Sequence, residues 1–398
     1  MNIIADKHEN INYDMFDINS TLGGLDMPLG IYKEVTKLID YEPLCGKGLW
    51  ALNKSNAMFA MKRKVADVLW KNTSKREFWS VKNCLVGSGN TELRRNENGA
   101  VLFSNVNLCK SPHICPYCSY RISVRRSIEV AQVVSWAYVN NYIPVLITLT
   151  HQHSLDMSPS TCIKVHQKAL TYFYNNMSAG KKLKKMSVGR ITGSEILHGV
   201  NGCHFHSHIL FLMRPDYYIT QKEVAESWVK ALKAEKGGHL KSGSIASMLK
   251  NSVHIMENCH TSEYLSKWGV EKELTASHAK SGEGESIFSL AMNGNSGLFV
   301  KYARALKGRS RVKFSKGLRS LVGLDEKKSD SDLIEEEIKE SQLMAIINRE
   351  VWFYLLKHNL IAECKYVAEQ YGYMGLKAWF ANLELPENLK ALSVKEGR

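Results

Sequence analysis

The hydrophobic pattern is most regular between residues 143 and 257. Some segments follow the two-residue period of strands and others the spacing of helices, with a tight turn at Gly199–Gly202 and a helix capping box at Thr220 and Glu223. The predicted elements are a strand, a helix, two strands, a helix and a strand, at about residues 143–150, 160–177, 187–197, 203–213, 220–233 and 252–257. This βαββαβ order predicts an α+β protein with a central ferredoxin-like domain.

The flanking segments have other patterns. Residues 1–75 form a polar leader followed by helical segments, and residues beyond Leu324 are first acid-rich and then helical in period over 343–383. We therefore predict four regions. They are an N-terminal helical accessory region (1–75), a cysteine-rich segment with a basic helix (76–135), the α+β domain (136–324) and a C-terminal helical domain (325–398).

Charge narrows the choice of partners. Lysine and arginine outnumber aspartate and glutamate by 53 to 39, a formal net charge of +14. This favours a polyanionic partner, although a merely soluble basic protein has the same composition. No apolar run is long enough to span a bilayer, and the N-terminus lacks the features of a signal peptide. We expect a cytoplasmic protein without a membrane partner, whose nine cysteines do not form disulfides.

Three of the cysteines are closely spaced. Cys109, Cys115 and Cys118 can place their thiolates on one tetrahedral zinc ion, with either Cys84 or His113 as the fourth ligand. The alternative is a set of buried, unligated thiols. We expect a structural zinc site that holds together a segment rich in loops.

A basic helix follows the last of these cysteines. It carries Arg121, Arg125 and Arg126. A zinc site at its start would direct this helix towards nucleic acid, so we predict that the three arginines bind DNA.

Alternating histidines mark the strand at 203–213. Because side chains two apart share a face of a strand, His204, His206 and His208 project together. If Val200–Asn201 are the two turn residues, Glu195 lies directly across from His206, whereas a shift of one residue turns it away. A mixed set of histidine and glutamate suits a divalent ion such as Mn²⁺ or Mg²⁺. The alternative for Glu195 is a plain surface carboxylate.

A later helix carries a phenol beside an ammonium group. Tyr264, Lys267 and Trp268 occupy one helical face. The pair could supply a nucleophile and a cation for attack on a phosphate, although such spacing is also typical of a packing face.

The order of these motifs closely resembles the plasmid rolling-circle replication initiators (Rep proteins) of the HUH endonuclease superfamily. The likeness runs from about residue 82 to residue 324, which makes 136–324 the HUH endonuclease domain. The matching motifs, in order, are Cys109-x5-Cys115-Pro-Tyr-Cys118, Ile147–Thr150, Glu195, His204–Ile209, Tyr264–Lys267 and Lys313–Arg319.

The resemblance implies a nicking reaction. Tyr264 would attack a phosphodiester of the origin, forming a 5′-phosphotyrosine and leaving a 3′-hydroxyl primer, while Lys267 stabilises charge. His206 and His208 would be the central metal ligands, with Glu195 and His204 as candidates for the third place. The partners would be plasmid origin DNA, as a single strand or hairpin, the host helicase and DNA polymerase, and a second protomer in a homodimer.

Termination differs from the usual pattern. Trp268 stands where related initiators carry a second tyrosine, so termination needs water or a second protomer, and Glu271 is the candidate general base for water. Two other classes share some features. A single-tyrosine transposase or relaxase has the same chemistry, and a zinc-stabilised nucleic-acid-binding regulator would lack the histidine face.

Overall fold

Two antiparallel sheets and the helices around them make up the described chain. The computed structural model describes residues 46–234, 244–257, 284–324, 329–390 and 393–397. All of these belong to one compact unit, Leu44–Arg398. The α+β class is confirmed, while the division into four regions stays a prediction.

The strands, in chain order, are β1 (Thr91–Arg95), β2 (Val101–Ser104), β3 (Ile143–Thr150), β4 (Ser187–Gly199), β5 (Gly202–Met213), β6 (Val253–Met256), β7 (Glu285–Ser286), β8 (Val312–Phe314), β9 (Gln342–Ile347) and β10 (Val394–Glu396). The helices are α1 (Gly46–Asn72), α2 (Trp79–Lys82), α3 (Pro116–Val139), α4 (Pro159–Asn176), α5 (Ser178–Met186), α6 (Gln221–Ala234), α7 (Ile245–Asn251), α8 (Ile287–Met292), α9 (Ser296–Leu306), α10 (Leu318–Leu321), α11 (Asp330–Glu340), α12 (Arg349–His358), α13 (Ile361–Asn382) and α14 (Glu387–Lys390).

The larger sheet has the order β6-β3-β5-β4-β7, and β8 pairs with the outer edge of β4. Four of its strands, β3, β4, β5 and β6, are those predicted from the hydrophobic pattern. β3 and β5 lie in the middle, where neighbours satisfy their backbone groups on both sides. Helix α4 begins at Pro159 because the side chain of Ser158 accepts a hydrogen bond from the backbone N–H of Thr161.

Each face of this sheet is covered differently. On one face, residues of β3 and β5 such as Ile209 and Phe211 are buried against α4 and α6. On the other face, Leu210 and Leu212 pack against the valines of α3. Because side chains alternate along β5, this second face is also the face of the three histidines. Helix α3 therefore covers this face near the C-terminal end of β5, at Leu210 and Leu212, beyond the three histidines.

The smaller sheet was not predicted. Its order is β10-β9-β1-β2, so strands from both ends of the described chain pair with each other. We expected helical periodicity from residue 343, but Gln342–Ile347 is a strand, and the helix begins at Arg349. The segment is rich in apolar and β-branched residues and pairs with β1. Local periodicity cannot reveal a partner so distant in the chain.

No helix in the described part of the chain is both long enough and apolar enough to cross a membrane.

Candidate functional site

Four thiols meet at one point next to the start of α3. Sγ of Cys118 lies 3.7 Å from that of Cys84 and 3.6 Å from that of Cys109, and the Sγ atoms of Cys115 and Cys84 are 3.6 Å apart. All four sulfur atoms lie within 4.8 Å of one another. Hydrogen bonds from the other three thiols lower the pKa of Cys84 well below its ordinary value. The cluster could hold a metal ion such as zinc, for which four thiolates are a common structural set.

Cys84, and not His113, joins the three closely spaced cysteines in the cluster that could hold a metal ion. Cys84 is fully buried inside the cluster, whereas His113 is not part of it. Burial lowers the pKa of the His113 imidazole to about 3, so this histidine is neutral at pH 7. The fold brings the loop after α2 back to the start of α3, and this arrangement favours Cys84 over His113 as the fourth candidate ligand.

The predicted DNA-binding arginines of α3 face the acidic helix α11. Arg121 and Arg126 are buried inside the fold rather than exposed. The ion pairs between the helices are Arg121 with Glu337, Arg125 with Glu340 and Arg126 with Asp330, at N–O distances of 2.7, 2.8 and 2.8 Å. This placement differs from the expected one, since the acid-rich segment supplies the anions that DNA was expected to supply. DNA binding by these arginines stays a prediction.

The histidine strand follows the predicted register. Val200 and Asn201 occupy the turn between β4 and β5, and Gly202 has a φ of 92°, which glycine adopts without strain. Glu195 pairs directly across from His206, as the two-residue turn predicts. The glutamate and the histidines therefore share one face of the sheet.

Hydrogen bonds orient the imidazole of His208 at both nitrogens. Its Nε2 lies 3.0 Å from Oε2 of Glu195, and its Nδ1 lies 3.0 Å from the hydroxyl of Thr148 on β3. Thr150, which lies opposite His206 in the register, also contacts a histidine, with 3.2 Å between its hydroxyl and Nε2 of His204. Sequence reasoning missed both threonines. The signal was present, since Thr148 and Thr150 alternate on the strand that pairs with β5.

Two of the histidines are held neutral. Burial lowers the pKa of His204 to about 4 and that of His206 to about 3. The Nδ1 atom of His206 is buried and has no hydrogen-bond partner among the described residues. A neutral imidazole has one free lone pair, and a buried nitrogen without a partner can bind a metal in the tautomer that places the proton on the other nitrogen.

The histidine face is more open than the cysteine cluster. Within the described part of the chain, only the four cysteines bring three or more candidate ligand atoms to within 4.8 Å of one another. The ring centroids of His206 and His208 are 5.9 Å apart, with nearly parallel planes. His153 stacks on His204 at 4.6 Å and extends the face towards the loop after β3.

A buried polar layer lies behind the histidine strand. Ser207 points to the opposite face of β5, where its hydroxyl is 2.8 Å from Nε2 of His166 on α4. His166 in turn lies 3.1 Å from His151, Nδ1 to Nδ1. Burial lowers the pKa of His166 well below its ordinary value. These contacts fix β5 against α4, and no sequence motif indicated them.

The predicted catalytic residues Tyr264, Lys267 and Glu271 lie outside the described residues. Their roles stay predictions.

Comparisons with known proteins identify the family. The Rep_1 model, described as replication protein, matches residues 100–358, more than half of the chain. "Protein rep" of Lactiplantibacillus plantarum is 28% identical over 134 residues, or 31% of this chain and 41% of the relative. "Protein rep" of Streptococcus pneumoniae is 24% identical over 150 residues, or 35% of this chain and 46% of the relative. The matched segments thus span less than half the length of these curated relatives. No solved structure matches. The chain belongs to the Rep_1 family of replication proteins, which confirms the family that its motifs resemble.

Proposed function

We propose that this chain initiates rolling-circle replication of a plasmid by nicking one strand at the origin. The observation that carries the proposal is the histidine face of β5 with Glu195 directly across from it, in a chain of a replication-protein family. The strand order of the larger sheet, with β3 and β5 in the middle, supports a ferredoxin-like nuclease domain of the HUH type. A nucleic-acid regulator without catalysis would have no use for neutral, alternating histidines.

His206, His208 and Glu195 would hold a divalent ion, Mn²⁺ or Mg²⁺, with His204 as the alternative third ligand. The unpartnered Nδ1 of His206 fits such a role. Thr148 holds Nδ1 of His208, so an ion bound at Nε2 of His208 would replace the present contact between Nε2 and Glu195. When bound, the ion would neutralise charge on the scissile phosphate.

Tyr264 would be the nucleophile. Its phenolate oxygen forms a bond to phosphorus while the bond from phosphorus to the 3′-oxygen breaks, and that oxygen takes a proton to become the 3′-hydroxyl. Lys267 stabilises the negative charge. Because Trp268 replaces a second tyrosine, water activated by Glu271, or a second protomer of a homodimer, would end the cycle.

The four cysteines would hold a structural zinc ion next to α3. The proposed partners are origin DNA, single-stranded or as a hairpin, and the host helicase and DNA polymerase that extend the primer. The proposed location is the cytoplasm.

The test is covalent capture of DNA by the full chain. We expect a protein–DNA adduct on a denaturing gel when single strands from the plasmid's own origin are incubated with the protein and Mn²⁺. Peptide mapping should place the nucleotide on Tyr264. Absence of any adduct, or an adduct on another residue, would contradict the proposal.

The hydroxyl of Thr148 gives a finer prediction. Thr148→Val removes the hydrogen bond that orients His208, so affinity for Mn²⁺ should fall by about 10- to 100-fold, as for other groups that position metal ligands. Thr150→Val, which removes the contact between this hydroxyl and Nε2 of His204, is the matched control. The Mn²⁺ affinity of each variant is measured from the cleavage rate as a function of Mn²⁺ concentration. If Thr150→Val has the larger effect, His204 rather than His208 belongs to the central ligand pair.

A further inference from the structure

A chain of buried polar side chains behind the histidine strand has no role in the function proposed so far. Its members are Ser207, His166, His151 and Cys162, in the order of their contacts, and each is 3% exposed or less. Nε2 of His151 lies 3.7 Å from Sγ of Cys162, and this thiol donates to the carbonyl of Cys203 at 3.1 Å. The chain therefore leaves β5 at Ser207 and returns to the same strand at Cys203.

The polar chain lies behind a part of β5 that lacks a neighbouring strand on one side. The ladder between β3 and β5 ends where Thr150 pairs with His206. Among the described strands, residues 203–205 pair with β4 alone. This part of β5 carries His204 and leads directly into His206. Because the β3 ladder does not reach it, side chains have to supply the hold that a second strand would give.

The direction of each hydrogen bond in the chain follows from the thiol. Hydrogen bonding with Cys203 and burial raise the pKa of Cys162, so the thiol keeps its proton and can donate to the carbonyl. Sγ then accepts from Nε2 of His151, and Nδ1 is the acceptor of that neutral ring. The proton between the two rings is thus on His166, whose Nε2 accepts from the hydroxyl of Ser207. This arrangement of protons satisfies every member and favours one geometry of the chain.

Packing alone does not require polar groups at this position. The ring of His166 packs against Phe205 and Trp228, with centroids 4.9 and 5.1 Å away. Around it, Ala169 and Phe173 of α4 belong to the apolar layer that covers this face of the sheet. A phenyl ring would fill the same space without the cost of desolvating two nitrogens. What the imidazole adds is a hydrogen bond in a fixed direction at each end.

We propose that His166 is a positioning residue of the metal site. It holds Ser207, which lies between His206 and His208 in the sequence, and through the rest of the chain it holds the carbonyl of Cys203. The stretch of β5 that presents the candidate ligands is thus fixed from behind at two points. This inference rests on the proposed function, since it assumes that the histidines hold a divalent ion.

Mn²⁺ binding by the full chain tests this role. His166→Phe keeps a ring of similar size next to Phe205 and Trp228 but removes both nitrogens. We expect it to weaken Mn²⁺ binding by about tenfold, as for other groups that orient metal ligands, while the melting temperature stays close to that of the wild type. His166→Gln should recover most of the affinity, because its amide can accept from Ser207 and donate to His151. Electron paramagnetic resonance of free Mn²⁺ measures binding without DNA.

Further variants separate positioning from packing. Ser207→Ala opens the same chain, so it should weaken Mn²⁺ binding by itself but add nothing to the loss caused by His166→Phe. Ser227→Ala is the matched control, because this buried hydroxyl of α6 contacts α5 instead of β5. It should leave Mn²⁺ binding unchanged. The double variant His206→Ala with His208→Ala gives the background of Mn²⁺ bound elsewhere.

The outcomes distinguish the positioning role from the nicking function. Unchanged Mn²⁺ affinity in His166→Phe would overturn the role. So would a loss that accompanies a lower melting temperature and that His166→Gln does not recover, or an equal loss in Ser227→Ala. If the wild type binds Mn²⁺ at the histidines but forms no DNA adduct, the nicking function is contradicted, and a selective loss in His166→Phe would still support the positioning role.

Discussion

Replacing His206 and His208 together by alanine should slow metal-dependent cleavage of single-stranded origin DNA by at least about a thousandfold, equivalent to roughly 4 kcal/mol of barrier. His206 presents a buried nitrogen without a partner, and His208 is oriented by Glu195 and Thr148. Both imidazoles would act on the same ion, so removing the pair leaves no nitrogen ligand at the centre of the face. Single-turnover cleavage rates over a range of Mn²⁺ concentrations measure the effect.

His358→Ala is the matched control for this pair, because His358 is an exposed histidine of α12. We expect it to cleave at the wild-type rate. The double variant should still bind the oligonucleotide, because the two substitutions remove only candidate ligands of the ion and no positively charged lysine or arginine. Robust Mn²⁺-dependent cleavage by the double variant would show that the metal is held elsewhere.

Loss of Cys84 should have a comparable effect on the cysteine cluster. We expect the purified chain to contain about one zinc ion, and Cys84→Ser to retain much less, because structural zinc sites with four ligands lose most of their affinity with one ligand. Since Cys84 joins the loop after α2 to the start of α3, thermal stability should fall as well. Metal analysis and a thermal melt measure the two effects.

His113→Gln is the control for this prediction, since His113 is buried near the cluster but is not part of it. It should keep its zinc. If His113→Gln loses zinc and Cys84→Ser keeps it, the fourth ligand is the histidine and the arrangement of thiols is not the metal site.

The register that places Glu195 opposite His206 could be predicted because its determinants are local. A two-residue turn at Val200–Asn201 fixes the pairing of β4 with β5, and alternation then places Glu195 opposite His206. The cysteine spacing likewise indicated a metal cluster, although spacing could not choose between Cys84 and His113. That choice depends on where the chain returns to α3, which is a property of the whole fold.

The features that the sequence did not predict depend on contacts between residues that are far apart in the chain. Arg121 and Glu337 form an ion pair although they are 216 positions apart in the sequence. In the sequence the basic helix and the acidic helix look like two separate charged surfaces, but in the fold their charges neutralise each other. The strand Gln342–Ile347 was expected to be helical because its partner, β1, lies far earlier in the chain. Hydrophobic periodicity indicates which face of a helix or strand is buried, but it does not indicate which other element packs against that face.

The link between the two ends of the described chain has a consequence for synthesis on the ribosome. The indole N–H of Trp352 donates to the carbonyl of Leu85 at 2.8 Å, across 267 positions. β1 can pair with β9 only after residues 342–347 have been synthesised. Until then β1 has an unpaired edge, which is prone to aggregation. The four cysteines, in contrast, leave the ribosome close together. A metal ion captured there would hold the early segment in shape while the rest of the polypeptide is translated, and translation that stops before residue 342 would leave that edge permanently open.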